Sequence, residues 1–221
     1  MTTYILVPGA CHGGWCFDRL TAELRDAGHR VVPLTLTGLS ERRHLLHAGV
    51  NLETHIEDLV YVLEAKRVEN AVLVGHSYGG MVITGAADRV PWRVDALVYL
   101  DAFVPENGES CWSLTDERQR EWYLTVGEIG YAVPPLPFFD SRASAHPLAS
   151  LLQTIRLEGD LSRFRRRDYV YAKIWDGGSP FEPTYCTLRD DPHWNVHELD
   201  SRHDLMRDAP RELLRILLAT G

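Results

Sequence analysis

The chain has 221 residues, enough for one domain with a full core and room for an insertion. Lys plus Arg number 23 against 31 Asp plus Glu, a formal charge of −8, so a phosphate-coated partner would need a local basic patch and nucleic acid is not expected. The start, Met1-Thr2-Thr3-Tyr4, has no basic lead and no long apolar run, which predicts a cytoplasmic protein without signal segment or membrane contact.

Short apolar runs alternate with amphipathic stretches, the pattern of the α/β class: a mostly parallel sheet of about six strands with helices on both faces. The strands are expected at Tyr4 to Val7, Val31 to Leu34, Ala71 to Gly75, Ala96 to Leu100, Tyr169 to Ile174 and Val196 to Leu199. Phe17 to Ala27 reads as a helix ending at Gly28, and Leu52 to Ala65 puts Ile56, Leu59, Val60 and Leu63 on one face with Asn51 as N-cap. Met81 to Ala87 continues as a helix, and Pro210 to Ala219 is the last, with proline in its first turn.

The rhythm breaks between about residues 105 and 167, where Trp112, Trp122, Tyr123 and Tyr131 precede the Pro-rich run Val133 to Phe139. So many aromatics in one irregular stretch predict an inserted cap that buries against the sheet or walls a pocket, with 1–104 and 168–221 forming the core of a single domain. Trp122, Phe138 and Phe139 are its candidate pocket residues, joined by His12, Trp15 and Phe103 from the core. Arg163, Arg165, Arg166 and Arg167 close the stretch; a solvated face is the plain expectation and a clamp for an anionic substrate the alternative.

Chemistry concentrates in Val72-Leu-Val-Gly-His-Ser-Tyr-Gly-Gly80, where a buried-strand run enters Gly75-x-Ser77-x-Gly79. This is the pattern of a nucleophile elbow: serine on a strained strand-to-helix turn, glycines where neighbouring backbone comes close. A serine hydroxyl is a weak nucleophile at neutral pH and needs a histidine to take its proton and a carboxylate to fix that histidine's tautomer. His203, after the last strand and across Asp200-Ser201-Arg202, is the candidate base. Two acids compete for the third role, Asp101 after the fourth strand and Asp176 after the fifth. Both keep the order Ser, Asp, His, and both lie at carboxyl ends of strands. Asp101 is preferred because its flanks, Tyr99-Leu100 and Ala102-Phe103, are apolar, whereas Asp176 stands in a turn-like Asp-Gly-Gly. The oxyanion hole is expected from the backbone N–H groups of Tyr78 and Ala10.

Cys11, Cys16, Cys111 and Cys186 lack paired spacing and read as reduced and structural. The ten histidines show no ligand spacing; the pairs His44/His47 and His193/His197 read as solvated faces, and no metal is expected. Nothing in the chain fixes its oligomeric state, a homodimer included.

Taken together, Gly9-Ala10-Cys11-His12-Gly13-Gly14-Trp15, Leu36 to Arg42, Gly75 to Gly80, Tyr99 to Pro105 and His197 to Asp204 resemble the α/β-hydrolase group that holds plant methyl esterases, hydroxynitrile lyases and small bacterial hydrolases. The resemblance covers essentially the whole chain and is weakest through the cap. It implies a Ser, His, Asp triad working without a cofactor. It also implies that the plant members' acid falls near Asp176, while bacterial relatives carry the Leu100-Asp101-Ala102 form. The chain has Pro8-Gly9 where the group usually has His-Gly, and it lacks the threonine (here Gly9) and the lysine (here Asp204) of the lyases. The function expected is therefore a serine hydrolase cleaving a small or medium, partly aromatic carboxylic ester through an acyl-enzyme. Alternatives are a lactonase, cyclising acyltransferase or lyase using the same site, or a non-catalytic ligand receptor.

Overall fold

The computed structural model spans Met1–Gly221 and is built on one six-stranded sheet in which every neighbouring pair is parallel. Its strands are β1 (Thr3–Val7), β2 (Arg30–Pro33), β3 (Ala71–His76), β4 (Val94–Leu100), β5 (Arg166–Ala172) and β6 (Asn195–Leu199). They lie in the order β2-β1-β3-β4-β5-β6. A parallel sheet covered on both sides needs strands that are apolar at every position, and β3 is buried along its whole length.

Side-chain alternation sorts these strands into two apolar layers. Tyr4, Leu6, Val72, Val74 and Val98 pack against Leu20 and Leu24 of α1 (Asp18–Asp26) and against Leu213 and Leu217 of the C-terminal helix Pro210–Thr220. Ile5, Val7, Leu73, Leu97 and Tyr99 face the other way, toward Ile56, Leu59 and Leu63 of α2 (Leu52–Ala65) and Ile83 and Ala86 of α3 (Gly79–Arg89). Each fully buried side chain of this size contributes about 1.5–3 kcal/mol of transfer free energy. Asn51 caps α2 in a reciprocal box: its Oδ1 accepts Thr54 N–H at 3.0 Å, and the Thr54 hydroxyl accepts Asn51 N–H.

Between β4 and β5 the chain forms only short helices, Cys111–Leu114, Glu117–Tyr123, Leu148–Leu152 and a 3-10 turn at Leu161–Arg163, and a two-residue antiparallel pairing of Ala132–Val133 with His146–Pro147. Tyr123, Val133, Leu151 and Ile155 from this segment join the same apolar layer as α2 and α3, so it is packed onto the core. Arg166 and Arg167, read as the end of the insertion, already belong to β5, which starts three residues before the expected Tyr169. Their charge disguised a strand that the backbone declares by pairing Ala96 with Arg166 and Leu97 with Arg167.

Candidate active site

Ser77, Asp101 and His203 follow β3, β4 and β6, which puts all three at the carboxyl edge of the sheet, where open α/β sheets carry their sites. Ser77 has φ +53° and Asp101 φ +44°, conformations that cost a non-glycine residue about 1–3 kcal/mol and persist only when neighbours hold them. They are held here. Ser77 N–H donates to Leu100 O at 3.2 Å, Phe103 N–H donates back to Ser77 O at 3.2 Å, and Asp101 N–H donates to Val170 O at 2.7 Å. The turn also needs a residue without a side chain at Gly79, where a Cβ would stand 2.4 Å from Val7 O.

Asp101 is completely buried. Its Oδ2 accepts His203 Nδ1–H at 2.7 Å and Trp175 Nε1–H at 3.2 Å, and its Oδ1 accepts Ala172 N–H at 3.3 Å. Burial raises the Asp101 carboxyl above the ordinary carboxylate range, and the Ala172 and Trp175 donors act against that rise. Asp176 is exposed and its carboxylate touches nothing in the site; only its carbonyl is used, accepting from Arg118 at 2.9 Å.

With Nδ1 committed to Asp101, Nε2 is the nitrogen of His203 left to serve a hydroxyl. Burial, reinforced by the nearby His12, holds the His203 pKa down at about 3, with Asp204 pulling the other way, so the ring is neutral and able to accept a proton at neutral pH. No hydrogen bond joins it to Ser77 Oγ; catalytic hydrogen bonds of this kind commonly tighten only when substrate arrives. His203 is clasped on its other sides by Phe181, stacked at 5.4 Å and 12°, by Trp175 at 5.0 Å, and by His76 at 4.5 Å. His76 Nε2–H also donates to the His203 carbonyl at 2.9 Å, which fixes the loop.

The N–H groups of Ala10 and Tyr78 donate to no acceptor within the protein. Orphan N–H groups are rare in folded chains, so both remain free to donate to a group brought to the serine. Gly9 brings the first loop against the serine: a Cβ there would lie 3.0 Å from Ser77 Cβ.

The expected pocket residues divide. His12 lies between Trp15 at 5.2 Å and Phe139 at 5.0 Å, with Trp122 6.0 Å beyond Phe139, so these four form one aromatic wall. Phe138 does not line it: it is 76% exposed, at the tip of the turn that Phe139 N–H closes on Leu136 O at 2.9 Å. Phe103 is buried against Phe181 at 4.9 Å and sits behind the site. Nor is the basic run a clamp. Arg163 pairs with Asp88, Arg165 with Asp95, Arg166 with Asp168, and Arg167 lies over Trp194. His197, read as solvated, reaches the buried Asp168 at 2.8 Å.

Sequence reasoning missed Trp175 and Phe181, which hold Asp101 and His203, and two fully buried histidines, His55 and His146. The only local signal was that Trp175 adjoins Asp176, the other acid considered.

A model of the alpha/beta hydrolase family matches residues 4–217. A carbendazim hydrolyzing esterase from Nocardioides is 38% identical over 243 aligned positions covering all of both chains. Methylesterase 10 of Arabidopsis thaliana is 33% identical over 67% of this chain, which spans 52% of that relative's length. An extracellular alpha/beta-hydrolase from a Paenibacillus species, described as sharing structural and functional homology with tobacco salicylic acid binding protein 2, superposes with a TM-score of 0.84 at 21% identity, covering 100% of this chain and 99% of the other.

Proposed function

The chain belongs to the alpha/beta hydrolase family, and we propose that it is a carboxylic ester hydrolase that works through an acyl-enzyme on Ser77. His203 Nε2 takes the Ser77 proton as Oγ attacks the ester carbonyl, and the oxyanion is met by the N–H groups of Ala10 and Tyr78. The proton passes to the leaving alcohol as the tetrahedral intermediate collapses; water then repeats the sequence and releases the acid. Asp101 holds the His203 tautomer and stabilises the imidazolium. The observation that carries this reading is the 2.7 Å bond from His203 Nδ1 to a wholly buried Asp101 on the sheet edge that bears Ser77.

The wall of His12, Trp15, Trp122 and Phe139 supports a small or medium ester with a flat aromatic part as substrate. The relatives named as a carbendazim hydrolyzing esterase and as a methylesterase support the ester hydrolase part of this reading. Hydrolysis is favoured over lyase chemistry because an acid, Asp204, adjoins His203, and because a side chain at Gly9 would crowd His76 and Ser77, each 3.0 Å from its Cβ.

A fluorophosphonate probe tests the mechanism. Labelling of the wild type that disappears in Ser77→Ala, with ester turnover reduced about a thousand-fold or more, is the expected result. A folded wild type that takes no label, or a Ser77→Ala protein keeping a tenth of the activity, would reject Ser77.

A further inference from the structure

Behind the site lies a group of buried side chains that the triad does not use. His146, from the insertion, is fully buried. Its Nδ1 accepts the Cys11 N–H at 3.2 Å, its Nε2–H donates to Ser150 Oγ at 2.9 Å, and Ser150 Oγ donates onward to Pro147 O at 2.8 Å. This succession leaves one consistent tautomer, proton on Nε2 and lone pair on Nδ1. The carbonyl of the same Ala10–Cys11 peptide accepts His12 Nδ1–H at 2.7 Å, and the next carbonyl, Cys11 O, accepts Ser144 N–H at 2.9 Å. Cys11 itself has φ +67°, a conformation that a residue with a Cβ abandons unless it is restrained. Two of the three restraints, His146 and Ser144, come from the insertion.

We propose that His146 is a positioning residue for the oxyanion hole: by accepting the Cys11 N–H it holds the Ala10–Cys11 peptide so that the Ala10 N–H stays turned toward the carbonyl attacked by Ser77. The inference rests on the serine-hydrolase reading and adds to it a side chain of the cap. Release of the Cys11 N–H would let φ relax to negative values and rotate the loop that carries the Ala10 donor. Burial keeps His146 neutral, the state in which Nδ1 accepts. A second buried histidine serves the other donor. His55 Nδ1 accepts the Tyr78 hydroxyl at 2.7 Å while its Nε2–H donates to Thr37 O at 2.9 Å, and the Tyr78 ring packs edge-on against His146 at 4.7 Å. A neutral histidine thus stands behind each donor residue, His146 on the peptide that follows Ala10 and His55 on the side chain of Tyr78.

The test compares His146→Asn with His146→Gln. The Asn Oδ1 occupies the place of Nδ1 and can accept the Cys11 N–H; the Gln head group occupies the place of Nε2 and cannot. Each is measured for kcat and KM on an aryl ester and for inhibition by an aryl trifluoromethyl ketone, which forms a tetrahedral oxyanion on the serine. His146→Gln is expected to lower kcat about 10²–10³-fold, the cost of one oxyanion donor, with KM within about threefold and ketone affinity falling in proportion to kcat/KM. His146→Asn is expected to keep kcat within about tenfold. Ser150→Ala, which frees the tautomer and removes only a hydroxyl, is expected to lower kcat about tenfold at unchanged KM, and it decides the matter should His146→Gln not fold. Equal effects of Asn and Gln, a loss confined to KM, or unchanged kcat in Ser150→Ala would overturn the inference. Failure of the underlying reading shows separately, as ketone inhibition of the wild type that survives in Ser77→Ala.

Discussion

His203 and Asp101, 102 positions apart in the chain, meet through a 2.7 Å hydrogen bond in which the carboxylate is wholly buried and the imidazole keeps one open side. Asp101→Asn turns an acceptor into a group that can present N–H to the ring and favours the wrong tautomer. Turnover is expected to fall about 10⁴-fold, with the protein still folded. Asp176→Asn, at an exposed turn without a side-chain partner in the site, should stay within about twofold of wild type. Steady-state kinetics of the two variants decide between the acids, and a severe loss in Asp176→Asn would refute the assignment.

Two adjacent phenylalanines should behave differently. Phe139 touches His12 and Trp122, whereas Phe138 is mostly in solvent. Phe139→Ala is expected to raise KM for aryl esters about tenfold relative to a short alkyl ester, the scale of losing part of one apolar contact surface. Phe138→Ala should leave the ratio unchanged. A panel varying acyl and alcohol groups independently reads this out, and equal effects of the two substitutions would place the wall elsewhere.

Acid should weaken the fold before most carboxylates titrate. Burial lowers the pKa of His55 to about 4 and of His76 to about 3, and pushes His146 well below its ordinary 6.5. Because the folded values lie below 6.5, the unfolded chain takes up protons first; the stability is fully present above pH 6.5 and is lost as pH falls from there toward about 4. Each histidine can contribute a slope of about 1.4 kcal/mol per pH unit. Urea midpoints at pH 7, 6 and 5 should therefore fall progressively, and a flat profile over that range would contradict the burial of these rings as neutral groups.

The strands and the elbow were legible in the sequence because both are local patterns: continuous apolar runs for buried parallel strands, glycine spacing around Ser77 for the turn. Asp101 could be preferred over Asp176 for the same reason, its apolar neighbours announcing burial. What stayed illegible depends on direction and distance. Phe138 and Phe139 are chemically identical, and no periodicity in a Pro-rich run says which faces inward. Trp175 reaches Asp101 only because β5 lies beside β4, and His146 reaches Cys11 across 135 positions. The arginine run looked like a surface feature since nothing local reveals that Asp88 and Asp95, seventy and more positions earlier, wait opposite it.

The sheet order also sets a timetable. β1, β3 and β4 sit side by side and come from the first 100 residues, while β5 and β6 add at one edge from residue 166 onward. Joining β5 to β4 closes a loop of more than sixty residues, which is slow on entropic grounds. The strand that presents the serine can therefore assemble early in refolding, whereas the base arrives with the last edge strand. Recovery of hydrolytic rate should lag behind recovery of central-sheet structure, making turnover itself the reporter of the final step.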